Sequence, residues 1–139
     1  MKKLILLLMF FTFFTSCESE GKLTENPVNT EFDINQAVLK FSGTLQPTSG
    51  ISGSGMVKIY QQNTTYYLRL DNYTIENGPD LKVYLSKNDT PSDFVNLGAV
   101  NPDNTYTIPS QVNLADYPYA LIHCQQYNHL FAVAALQEN

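Results

Sequence analysis

Between residues 37 and 136 the chain consists of short segments in which apolar and polar positions alternate, separated by turn residues. Tyr66, Leu68 and Leu70, for example, would share one face of a strand, with the intervening residues on the other. A period of two is typical of half-buried antiparallel strands. No stretch has the length and period of a helix longer than one or two turns.

About eight short strands follow one another at close, regular spacing. They are predicted at 37–45, 53–60, 66–71, 81–86, 94–98, 105–109, 119–124 and 130–136, with a helical turn at 112–117. Many short strands joined by Gly, Pro and Asn turns are the pattern of a sandwich or barrel. The sequence therefore predicts an all-β fold, a single antiparallel β-sandwich or barrel-like domain.

The last hairpin holds both histidines and the only cysteine beyond the N-terminal leader. A two-residue turn at 127–128 would place Cys124 opposite Phe131 and Gln126 opposite His129. His129 would then lie on the same face as Cys124, two residues further along the ladder.

Cys124 and His129 form the only soft ligand pair that this pattern predicts. His123 and Cys124 are neighbours in a strand and point to opposite faces, so they cannot share an ion unless the strand bulges. Two ligands make a weak site, because zinc usually takes three or four protein ligands.

The N-terminus reads as a secretory signal peptide over residues 1–16, with Lys2 and Lys3 before an apolar run from 4 to 14. That run is too short to span a bilayer as a helix. Cys17 follows the apolar run and the small residues Thr15 and Ser16. This arrangement resembles the lipobox of bacterial, Bacteroidetes-like lipoproteins, which implies a lipidated Cys17. An ordinary secreted protein is the alternative.

Residues 17–35 are predicted to form a flexible acidic tether, and residues 36–139 the β domain. The acidic stretch 18–20 resembles the signal that sends such lipoproteins to the outer face of the outer membrane. The expected location is thus the outer membrane or cell surface, lipid-anchored, with a periplasm-facing anchor as the alternative.

Without residues 1–16 the chain has 123 residues, enough for one domain. It then carries 6 basic and 13 acidic residues, a net charge of −7. Nucleic acid is not an expected partner, because binding it requires a basic face. With Cys17 lipidated, Cys124 has no partner for an intramolecular disulfide.

A series of motifs, in the same order, resembles the DM-thirteen domain family over about Phe41 to Leu136. The motifs are Gly53-Ser-Gly-Met-Val-Lys-Ile, Tyr67-Leu-Arg-Leu-Asp-Asn-Tyr, Gly78-Pro-Asp-Leu-Lys-Val-Tyr-Leu-Ser, Leu97-Gly98, Tyr106-Thr-Ile-Pro and Leu121-Ile-His-Cys. The resemblance implies an extracellular all-β module with an electron-transfer role. It also implies that Cys124 is a redox thiol or a ligand for a prosthetic group. The chain departs from the family at His123, where Trp is common, and at Tyr127, where Phe is.

Two functions remain open. The first is redox or electron transfer centred on Cys124, with a redox partner protein; a haem or metal would draw on Cys124, His129 and His123, although no C-x-x-C-H motif is present. The second is a non-catalytic binding or adhesion module in which Cys124 is only packed in the core. No G-x-S-x-G or H-E-x-x-H motif favours a hydrolase, and the sequence identifies no small ligand.

Overall fold

The computed structural model describes residues 31–139. The predicted signal peptide, Cys17 and tether residues 17–30 lie outside the described residues. Within the described part, no helix is long and apolar enough to cross a membrane.

Two antiparallel sheets of five strands each make up the domain, which confirms the predicted all-β sandwich. The strands are β1 Val38–Thr44, β2 Gln46–Pro47, β3 Gly53–Gln62, β4 Thr65–Ile75, β5 Leu81–Ser86, β6 Phe94–Ala99, β7 Thr105–Ile108, β8 Tyr119–Cys124, β9 His129–Ala135 and β10 Gln137–Glu138. Sheet A has the order β10-β1-β3-β4-β7, and sheet B the order β2-β9-β8-β5-β6. The predicted helical turn is present as a 3₁₀ turn, Leu114–Asp116.

All eight predicted strands are present, and two further strands of two residues each, β2 and β10, extend the sheets. Such short strands have no alternation that a sequence pattern could show. The glycine pair in β3 marks a bulge, where the pairing with β4 shifts between Ser54 and Met56. Gly55 has φ +139°, which favours glycine.

The core lies between the inner faces of the two sheets. Aliphatic side chains from β3, β4, β5 and β8 fill its centre, and Val57, Ile59, Leu68, Val83 and Leu85 are fully buried. Tyr106, Ile108 and Phe131 complete it. Because both sheets contribute one face of alternating apolar residues, the pattern read from the sequence is also the pattern of burial.

Residues 31–33 pack on the outer face of sheet A. The ring of Phe32 lies 5.5 Å from that of Tyr60 and 5.2 Å from that of Tyr67. The amide of Gln62 accepts a hydrogen bond from the Asp33 backbone N–H at 2.8 Å. The last five residues of the predicted tether, 31–35, are thus described, and their first three contact the sheet.

Candidate functional site

The final hairpin has a different register from the expected one. Residues 125–128 form a four-residue connection, so Cys124 pairs with His129 and not with Phe131. Asn128 has φ +48°, and its N–H donates to the carbonyl of Gln125 at 3.3 Å. The prediction of a two-residue turn is therefore wrong, because Asn128 adopts a left-handed conformation that closes a wider loop.

A bulge in β9 repositions the residues that follow this loop. Ile122 pairs with Ala132 and His123 with Leu130, which leaves Phe131 as the extra residue. Phe131 is nevertheless buried in the core, and its ring contacts that of His129 edge-on at 5.5 Å. His129 itself is exposed.

Cys124 is a free thiol that is fully buried, with 0% of its surface exposed. It is the last residue of β8 and pairs with Leu81 on the side opposite His129. Immediately after it, the N–H of Gln125 donates to the carbonyl of Asp80 at 2.9 Å. This hydrogen bond holds the turn at residues 78–81, which we call the GPDL turn, against the C-terminal end of β8.

A surface cavity of 310 Å³ lies at this turn. Its lining residues are Asn77, Gly78, Pro79, Asp80, Leu81, Ala99 and Val100. Leu81 links the cavity to the strand that carries Cys124, but Cys124 is not among the lining residues. The sulfur is thus near a cavity without being open to it.

His123 lies on the other face of sheet B, as predicted from its neighbour relation to Cys124. It is 4% exposed and pairs across the ladder with Lys82. Its ring lies 5.4 Å from that of Tyr84, which in turn stacks on Phe94 at 4.1 Å. We call Tyr84, Phe94 and His123 the outer aromatic cluster.

Neither ring nitrogen of His123 has a hydrogen-bond partner among the described residues. Burial lowers the pKa of His123, because a charged imidazole would lose its hydration. The side chain of Asn128 opposes this shift, and the nearby His129 adds to it. Burial therefore favours the neutral form of the imidazole.

Sequence patterns did not single out Tyr84 and Phe94. Alternation placed Tyr84 on the face away from the core, where exposure would be the default, yet Tyr84 is only 1% exposed. Burial on the outer face raises the pKa of Tyr84. The available signal in the sequence was Phe94, the aromatic residue at the start of β6. Phe94 pairs with Ser86, which is two residues from Tyr84 on the same face of β5.

Two further tyrosines lie toward the interior. The hydroxyl of Tyr106 accepts a hydrogen bond from the N–H of Asn101 at 3.0 Å. The hydroxyl of Tyr73 is buried without a partner among residues 31–139, and burial raises the pKa of Tyr73 to about 12. Neither hydroxyl is poised to lose a proton.

The side chains around Cys124 do not fit a haem or a metal centre. In residues 31–139 no three His, Cys, Asp or Glu side chains come together as a ligand group. Of the three candidates, only Cys124 and His129 are direct cross-strand partners, and His123 lies on the opposite face. Since the sulfur is fully enclosed, a bound group would have no access to it without displacing the core.

Comparison with known proteins gives one family. A family model described as "Electron transfer DM13" matches residues 44–136, which includes the GPDL turn and the whole last hairpin. No curated protein matches the chain, and no solved structure does.

Proposed function

Because the chain belongs to the electron transfer DM13 family, we propose that its β-sandwich domain transfers electrons in the cell envelope, with the Cys124 thiol as redox group. The family match over residues 44–136 is the observation that carries the proposal. Cys124 is the only cysteine in the matched region. Its direct cross-strand partner, His129, is exposed.

The proposed thiol chemistry takes account of what surrounds the sulfur. With no second cysteine in the domain, an internal disulfide cannot form there. The proposed oxidation therefore removes one electron and forms no new bond to sulfur. The S–H bond breaks, and the electron and the proton both pass to the oxidised partner protein. The returning electron and proton restore the thiol. Enclosure protects the sulfur from oxidation to sulfenic acid and beyond.

The proposal includes a lipid anchor on Cys17. The basic start, short apolar run and following cysteine support it. Acyl chains contribute about 0.8 kcal/mol per buried CH₂, so several chains would hold the domain permanently at a membrane. The outer membrane or cell surface is the proposed location, and the partner is a redox protein there.

One observation favours a second function, that of a non-catalytic binding or adhesion module. Cys124 is 0% exposed and belongs to the apolar core. Free cysteine in such surroundings behaves as a small hydrophobic residue. In that case the exposed surface carries the function and the sulfur only packs.

Spectroscopy and thiol titration of the purified protein distinguish these two functions. We would measure redox titration, radical formation on oxidation, visible absorption and metal content for the wild type, Cys124→Ser and Ala120→Ser. Ala120 shares the core face of β8 and is 1% exposed, so its variant controls for a buried hydroxyl. A one-electron response that Cys124→Ser abolishes and Ala120→Ser retains supports electron transfer. The same response in all three proteins, or none in any, favours the binding module.

A further inference from the structure

A groove lies at the opposite end of β8 from Cys124. Its volume is 410 Å³, and it is lined by Phe41, Tyr66, Val112, Asn113, Leu114, Ala115 and Glu138. This volume falls within the range of roughly 300–1,000 Å³ that is typical of small-molecule sites. Residues 112–115 lie shortly before Tyr119, the first residue of β8. Cys124 is the last residue of that strand, about 17 Å from Tyr119 along it.

Strand pairing brings a carboxylate next to an aromatic ring in this groove. Phe41 of β1 and Glu138 of β10 are direct cross-strand partners, so their side chains share a face. Tyr66 of β4 adds a second ring, and both rings are half-buried. Aromatic faces and a carboxylate together attract organic cations.

The carboxylate of Glu138 takes part in no ion pair within residues 31–139. The ion pairs in this part of the chain involve Asp71 and Asp80. At the rim, Asn113 donates to the carboxylate of Asp116 at 3.1 Å, which places a second acidic residue beside the groove. Charge complementarity thus defines the ligand as a cation.

We propose that this groove binds an organic cation with an apolar stem, an alkylguanidinium or alkylammonium group. The stem lies along Phe41, Tyr66, Val112 and Leu114, and the charged head pairs with Glu138. The source of the cation is either a free small molecule or an Arg or Lys side chain of a peptide. The site is independent of the redox proposal, because it contains neither Cys124 nor a histidine.

Calorimetric titration of the purified full chain tests this site. The probes are N-acetyl-arginine amide and its uncharged isostere, N-acetyl-citrulline amide. We expect the arginine probe to bind at least about tenfold more tightly, with an affinity that falls as salt is added. Equal affinity for the two probes, or no binding of either, would overturn the proposal.

Charge variants locate the site. Glu138→Gln should weaken binding of the arginine probe about tenfold, and Glu138→Lys should abolish it. Asp103→Asn, which removes an exposed carboxylate outside the groove, is the matched control and should bind as the wild type does. An unchanged affinity in Glu138→Gln would refute the site. Glu138 is exposed on a two-residue strand, so thermal melting is expected to show all three variants folded.

A peptide arm identifies the source of the cation. If Ala-Arg-Ala binds more tightly than the arginine amide, and Glu138→Gln weakens both, the groove takes a side chain of a peptide. If both bind equally and depend on Glu138, a small cation is sufficient. Binding of the peptide that is insensitive to Glu138→Gln places the contact elsewhere and counts against the groove.

Discussion

The ring of Phe94 lies parallel to that of Tyr84, with 4.1 Å between centroids and 13° between planes. Phe94 is 42% exposed while Tyr84 is 1% exposed, so one ring shields the other from water. Stacking of two aromatic rings adds to the free energy gained from burial.

Removing the shielding ring should destabilise the domain. We expect Phe94→Ala to lower the free energy of unfolding by about 1–2 kcal/mol, from lost stacking and exposure of Tyr84. Urea unfolding measures this. Tyr127→Ala is the control, because Tyr127 is 67% exposed and its loss should stay within about 0.5 kcal/mol. Equal effects of the two variants would contradict the shielding role.

Stability should fall in mild acid because of His123. Burial lowers the pKa of His123, so the unfolded chain binds its proton first as pH falls. The stability that neutral His123 contributes is complete above the pKa of about 6.5 that it has in the unfolded chain. This stability is lost as the pH falls from there through the lowered pKa of His123 in the folded protein. Urea midpoints measured across this range should decline in the wild type and in His129→Gln, and decline less in His123→Phe. A parallel decline in all three would show that His123 is not the cause.

The thiol of Cys124 should react with an aromatic disulfide reagent only when the core opens. Because the sulfur is fully buried, the labelling rate should rise with urea along the same curve as tyrosine fluorescence. Rapid labelling of the folded protein would show a local opening at the end of β8. The labelling rate without urea therefore distinguishes unfolding of the core from a local opening.

A methyl group at Gly78 should disturb the packing of Leu81, the cross-strand partner of Cys124. A Cβ there would lie 2.7 Å from Leu81 Cδ2 and 3.1 Å from the Phe131 ring, so these flexible side chains must move. We expect Gly78→Ala to accelerate thiol labelling several-fold. Gly50→Ala is the control, because no atom lies within 4 Å of its new Cβ. This variant adds only the backbone strain of a non-glycine residue at φ +84°. Equal acceleration in both would point to lower global stability and not to local displacement.

The proposed anchor gives a simple fractionation result. Wild-type protein should be found with membranes and be extracted by detergent, while Cys17→Ser should be soluble, because it has no thiol to receive lipid. Mass spectrometry of the N-terminal peptide of the wild type should show acyl chains on Cys17. A wild-type chain released into the soluble fraction would contradict the anchor.

The strands could be predicted from sequence because burial follows the same period of two as the strand. Even the face shared by Cys124 and His129 was predicted correctly from a wrong register. At His123 and Cys124 the true pairing is displaced by two residues in β9, and a displacement by an even number leaves these side chains on their original faces. Beyond the bulge at Phe131 the displacement is one residue. The pairing itself depends on Asn128 and on the bulge at Phe131, which alternation does not show.

The alternation of apolar and polar residues could not predict which side chains are buried on the outer face of sheet B. A period of two assigns Tyr84 and His123 to the face away from the core, but it does not show that Phe94 covers Tyr84. Contacts of this kind join side chains from different strands, and alternation within a single strand does not show them. The enclosure of Cys124 was one of the open alternatives for the same reason, since it depends on how the two sheets pack together in the core.

The edge strands of the two sheets affect how readily copies of the protein aggregate at high concentration. Sheet A is bounded by β10, of two residues, and by β7, of four, and sheet B by β2 and β6. Pro47 removes one N–H from β2, and β6 is interrupted by a bulge beside Gly98, with φ +119°. None of these borders offers a long, flat row of free backbone groups to a second molecule. Neighbouring copies packed side by side would therefore resist fusing into fibrils.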